Sequence, residues 1–392
     1  MSEASALLSA LVAADSTNPQ LVPGGAGEAA AAQICADRLA ALGAEVEIWE
    51  PLPGRPNVVA TVRGTGGGGS LMLCGHLDVV AGPPELFRPQ VRDGRLFGRG
   101  AVDMKGGITA AILAAERVAA GERLRGDLVV ALVIDEEWLS VGAEALAERY
   151  RADAAIFPEQ SGLDLVLEHG GFAWFEIDSH GVEAAGSDPA VGRDAIAPLG
   201  PVLSEIARLD RALAQAPACS YGRGSIHASM IAGGDQLPVY PPLCTLGVER
   251  CLIPGETGAG AEREIDAMLE LAHRANADAR LERRTIVGRD PIRIEADEPI
   301  ALALAAAAAA ELGRPAVQRG DIGWMDSGIL HDTGVPCITF GPVGAGEHTG
   351  VEWVDLASIE ACARIYADAA RRFLNANGPL HHRSDPALAP SG

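Results

Sequence analysis

The sequence predicts an α/β fold: a mostly parallel sheet interrupted by an inserted α+β domain. Three observations predict the architecture. Up to about residue 172, short apolar runs alternate with helical stretches. After that point the strands turn to polar–apolar alternation and helices become sparser. From about residue 293 the first pattern returns. The chain has 392 residues, and single cores stop growing near about 250–300 residues, so two domains are expected.

The elements follow in order. Residues 27–42 (GEAAAAQICADRLAAL) read as an amphipathic helix ending at Gly43. The runs 58–62, 71–73, 128–134 and 154–157 read as buried strands, and 104–120 as a helix closed by Gly121. Residues 172–177 alternate as a half-exposed strand does. Residues 195–214 and 259–276 read as helices, and 244–248 as a strand between them. The last stretch gives an Ala-rich helix at 298–312, a helix near 323–333 and a strand at 336–340. The segment GTGGGGS (64–70) has the spacing of a dinucleotide loop, but a strand follows it rather than a helix, so it reads as a flexible hairpin. The tail from Gly378, including the His381–His382 pair, has the composition of a disordered end.

Composition excludes several functions. The net charge is −22; an acidic surface repels phosphate, which argues against nucleic acid and anionic membranes. The longest apolar run, 300–310, is about half a membrane span. Seven scattered cysteines with no CxxC pair suggest a reduced, cytoplasmic chain. The opening MSEASALLSALVAAD has no basic leader region and carries Glu3, so no signal peptide is expected. Hydrophobic residues at 48% suffice for two cores, and aromatics at 4% imply cores of Ala, Leu, Val and Ile.

Polar groups collect just after the buried strands. His76 and Asp78 follow 71–74, Asp135-Glu136-Glu137 follows 128–134, and Glu159 follows 154–157. His348 lies in GPVGAGEHTG after 336–340, and Asp103 in GRGAVDMKGG before a helix. Taken singly, each has an ordinary explanation: a surface pair, a solvated dipeptide, a helix cap, a loop residue. Jointly they differ, because the C-terminal ends of parallel strands converge on one edge where ligands bind. Carboxylates and imidazoles gathered there need a cation between them. Imidazole with carboxylate and no thiolate suits zinc, with Co²⁺ or Mn²⁺ as neighbours; Cys74 reads as core. The number of ions stays open on this evidence. The sequence has no HExxH, Walker A or GxSxG motif.

The segments GHLDVV (75–80), GRGAVDMKGG (98–107), DEEWLSVGAEAL (135–146), the Glu159 segment, ERCLIPGET (249–257) and GEHTGVEWV (346–354) resemble, in order, the M20 metallopeptidases. That family includes deacylases, aminoacylases and carboxypeptidases. The resemblance implies two metal ions: one held by His76, Asp103 and Glu159, the other by Asp103, Glu137 and His348, with Asp103 bridging. It implies Glu136 as general base, and Asp78 as the residue that orients His76 by accepting its second ring proton. Residues 1–172 and 291–380 would form the catalytic domain and 173–290 the lid and homodimer interface, leaving 381–392 as a flexible tail. Arg250 would hold a substrate carboxylate, which points to N-acyl amino acids or small peptides.

Two positions depart from the family pattern. The lid segment G-x-x-x-H-x-S is here GVEAAGS (181–187), so Ala185 stands where the family has the histidine that donates to the oxyanion. Three readings stand: the natural chain lacks this donor, His180 or His227 replaces it, or Ala185 is an engineered substitution. A metal-binding protein with little or no activity is the alternative these readings leave. In addition, GGDQLPVYPPLC (233–244) lacks an Asn that some members carry there.

Overall fold

The computed structural model describes residues 2–376, so the tail expected over 381–392 and its histidine pair lie outside the described residues. The chain divides into two compact units. Among the described residues the first comprises 2–167, 294–318 and 329–376, and the second 168–293 and 319–328. Residues 319–328, which the sequence pattern placed with the catalytic part, therefore belong with the second unit.

In the first unit the strands Arg55–Val62, Asp127–Val133, Ser70–His76, Ala154–Phe157 and Cys337–Thr339 lie side by side in that order, with Glu45–Leu52 outside the first. The last four of these run parallel, with Cys74 opposite Ala131, Leu71 opposite Ala154 and Cys337 opposite Ala155. They are buried almost throughout, which is why they read as continuous apolar runs rather than alternating ones. Helix Gly106–Ala119 packs against Leu356–Leu374, which in turn packs against the Ala-rich Pro299–Leu312. Small side chains let these helices approach closely. A helix at Glu3–Ala13, capped by Ser2, was not anticipated; the Ser2 hydroxyl accepts from Ser5 N at 3.2 Å.

The glycine segment 64–70 is not a hairpin. Arg55–Val62 and Ser70–His76 are separated by Asp127–Val133, so the segment crosses over a strand. It is also held in place: Gly64 N donates to Asp127, Gly66 N to Arg125 O, and Arg125 to Gly67 O.

The second unit is an antiparallel sheet in the order Ser225–Gly233, Leu243–Leu252, Gly171–His180, Leu281–Arg289. Gly171–His180 alternates buried and half-buried residues along its length. Its inner face packs with helices Gly200–Leu213 and Gly258–Ala275 around Phe175, Ile177, Leu246, Val248 and Ile265. Among the described residues no helix is long and apolar enough to cross a membrane.

Candidate metal centre

His76 is the last residue of Ser70–His76, Glu159 follows Ala154–Phe157 by two residues, and Glu136 and Glu137 follow Asp127–Val133. Parallel pairing brings these three strand ends to one edge. Asp103 comes from the irregular turn Ala101–Lys105 just before helix Gly106–Ala119. Lys105 holds the N-cap position of that helix, so Asp103 is not its cap. The helix start lies close to the Glu159 segment because residue 107 is glycine: a Cβ there would fall 1.9 Å from Pro158 O. His348 lies in a tight loop at φ 57. The loop closes because Gly346 has φ 86, where a Cβ would meet Val351 O at 1.9 Å.

The geometry divides at Asp103. Its Oδ1 lies 3.1 Å from His76 Nε2, which is itself 3.4 Å from Glu159 Oε1. Its Oδ2 lies 3.1 Å from His348 Nε2, which is 3.0 Å from Glu137 Oε2. Two triads result, His76–Asp103–Glu159 and Asp103–Glu137–His348, each with donor atoms within 4.8 Å of one another. Donors bound at about 2.0–2.2 Å around a tetrahedral ion stand about 3.3–3.6 Å apart, so the triads have the span a metal ion requires. Glu136 lies outside both triads, with Oε2 3.9 Å from His76 Nε2.

The electrostatics give the same result. Hydrogen bonds to the carboxylates of Asp103 and Glu137 push the His348 imidazole up to about 10. Burial alone would lower His76, but Glu159, Glu136 and Asp103 raise it well above the usual histidine range. Burial pushes Glu137 up even though His348 opposes it. With no cation present, protons on the imidazoles would have to balance the carboxylates. Metal ions do the same work without protonating the ligands.

Buried carboxylates hold the ligand loops from behind. Asp78 accepts the backbone N–H of Glu136 and of Glu137, each at 3.1 Å. Toward His76 it presents two acceptors: the Asp78 main-chain oxygen lies 3.0 Å from His76 Nδ1 and its carboxylate oxygen 3.6 Å. Glu352, 1% exposed, accepts from Gly100, Val102 and Asp103 N and from the Arg99 guanidinium. Arg99 also donates to Thr349 O, next to His348. The sequence reading missed Glu352. Its signal was a carboxylate four residues after His348, interpretable only with the Asp103 turn folded against it.

In the second unit, Arg250, expected to meet a substrate carboxylate, is held by internal ones. It is 2% exposed, and its guanidinium is bound by Glu256 and Glu264 at 2.7 and 3.0 Å. A substrate carboxylate would have to displace two internal ones, so the arrangement supports a structural ion pair. Ala185 is exposed and bridges to Val239. Of the two proposed replacements, His180 ends its strand five residues before Ala185, its ring 3.9 Å from Glu282. His227 pairs with Glu249 at 3.4 Å and lies six residues from Gly233, about 20 Å along the edge strand.

Comparison with known proteins gives the family and the fold. The family model for peptidase family M20/M25/M40 matches residues 72–372. A succinyl-diaminopimelate desuccinylase of Xanthomonas campestris is 31% identical over 87% of this chain and 93% of its own. An N-formyl-4-amino-5-aminomethyl-2-methylpyrimidine deformylase of Bacillus subtilis is 27% identical over 77% of this chain and 79% of its own. Among solved structures, aminopeptidase PepT of Bacillus cereus superposes with TM-score 0.74 at 18% identity, covering 94% of this chain and 98% of its own. A dinuclear metal-binding M20 peptidase of Bacillus subtilis gives 0.69 at 16%, covering 95% and 97%. The chain belongs to peptidase family M20/M25/M40, and is a metal-using hydrolase of amide bonds.

Proposed function

We propose that the chain is a di-zinc amidohydrolase that cleaves the amide bond of an N-acyl amino acid or small peptide, with Glu136 as general base. The observation that carries this reading is the division of Asp103, one carboxylate oxygen turned to His76 and the other to His348. His76, Asp103 and Glu159 would hold one ion, and Asp103, Glu137 and His348 the other; the donor set suits Zn²⁺, with Co²⁺ or Mn²⁺ as alternatives. When bound, such ions polarise a carbonyl and bring water's pKa near about 7.

Glu136 stands beside the ligands without belonging to either triad. In this reading it takes the proton of the attacking water and returns it to the leaving amine, as the carbonyl C–O bond forms and the C–N bond breaks. The amide substrate class is supported by the relatives, whose names include a desuccinylase and a deformylase. Glu136→Gln, loaded with Zn²⁺ and tested on N-formyl, N-acetyl and N-succinyl amino acids and dipeptides, is expected to lose about 10²–10⁴ in rate while keeping its metal. Full activity would contradict the role.

A second reading, a metal-binding protein with little turnover, is favoured by Ala185, whose methyl group cannot donate to an oxyanion. We also assign the second unit as lid and dimerisation domain. The support is its edge strand Ser225–Gly233, where Met230 is 74% and Ile231 54% exposed. Light scattering should give the mass of a dimer, and Met230→Arg should halve it; a monomer from the unmodified chain would refute this. The seven reduced cysteines support a cytoplasmic location.

A further inference from the structure

Behind the Glu136–Glu137 pair, within the first unit, lies a chain of buried polar groups that the reaction steps leave unused. Asp78, Asp135 and Asn18 are each at most 1% exposed. The Asn18 amide Nδ2 donates to Asp78 Oδ2 at 2.8 Å and to Asp135 Oδ1 at 3.0 Å. A carboxamide nitrogen has two protons, and both are committed here.

Each of the two carboxylates governs one side of Glu136. Asp78 holds the Glu136 and Glu137 amides. Asp135 precedes Glu136 at φ 72, a left-handed conformation uncommon outside glycine. Its side chain also accepts from Arg55 at 3.0 Å and from Leu139 N at 3.3 Å, and Arg55 is held in turn by Glu28. Asn18 is itself fixed. Its backbone N donates to Val79 O at 3.0 Å, and its Oδ1 accepts from Gln20 N at 2.9 Å. Without a donor between them, two buried carboxylates would face one another and separate. That separation would move the backbone from which Glu136 projects.

We propose that Asn18 is a positioning residue for Glu136: by joining Asp78 to Asp135 it fixes the direction in which Glu136 meets the reacting water. The proposal rests on Glu136 acting as the base. It gives Asn18 no contact with metal or substrate.

The test compares Asn18→Ala, Asn18→Asp and Glu136→Gln in the zinc-loaded full chain. It uses the best substrate of the panel above, in whichever of the unmodified and Ala185→His forms is more active. Both Asn18 variants are expected to lose about 10–100-fold in kcat, with KM within about threefold and metal content unchanged. Asn18→Asp should be at least as damaging as Asn18→Ala despite its matching shape, because it places a third acceptor between two. Adding Asn18→Ala to Glu136→Gln should cost nothing further.

A mild Asn18→Asp beside a damaging Asn18→Ala would show a space-filling role and overturn the proposal. So would metal loss parallel to activity loss, full additivity with Glu136→Gln, or a crystal structure of Asn18→Ala with Glu136 unmoved. If either variant fails to fold, Arg55→Lys replaces it, with a smaller kcat loss expected at constant KM; unchanged kcat overturns the proposal. A fully active Glu136→Gln would refute the base itself, and the positioning role with it, whatever the Asn18 variants do.

Discussion

The two units treat their charged side chains in opposite ways. In the first, Asp103, Glu136, Glu137 and Glu159 converge with only two imidazoles among them, and the histidines are driven toward protonation as a result. In the second, Arg250 is equally buried, yet Glu256 and Glu264 already neutralise it. A cluster of carboxylates with too few positive partners suits a bound cation, whereas a balanced set explains itself. The contrast sets the candidate metal site apart from an arginine whose charge is already met within the fold.

Two variants can break or sharpen this contrast within the second unit. The larger effect belongs to Ala185→His. If the missing donor limits turnover, restoring it should raise kcat by about 10²–10³, read on the same substrate panel. An unchanged rate would mean that His180 or another group already serves. The smaller effect belongs to Arg250→Met. Two partly buried carboxylates would lose their partner, so stability should fall by about 1–3 kcal/mol, measured by denaturant unfolding, while KM stays within about threefold. A tenfold rise in KM at unchanged stability would return Arg250 to the substrate.

Three of the candidate metal ligands were legible in the sequence because each follows a short, apolar run. Such runs become buried parallel strands, and their ends share an edge. His76, Glu137 and Glu159 needed nothing more than that rule to be brought together. Asp103 and His348 were harder, since both lie on irregular backbone, and their assignment leaned on resemblance. Asn18 and Glu352 were not legible at all. Their side-chain partners lie 60 to 253 residues away in the chain, and a lone Asn or Glu carries no signature of such a bond. The glycine segment 64–70 misled for a related reason: local sequence suggests a turn, but which strands become neighbours is decided by the rest of the sheet. Helix Glu3–Ala13 has a weak polar–apolar contrast, and Lys105 reaches its last turn by donating to Leu11 O and Ala14 O, a contact only the folded chain reveals.

The central claim is that Asp103 joins two cation sites. Stoichiometric titration of the demetallated chain with Zn²⁺, followed by elemental analysis, tests it most directly. The account predicts two ions per chain, with Asp103→Ala weakening both sites together. One ion per chain, or an Asp103→Ala form that still binds two with unchanged affinity, would contradict it.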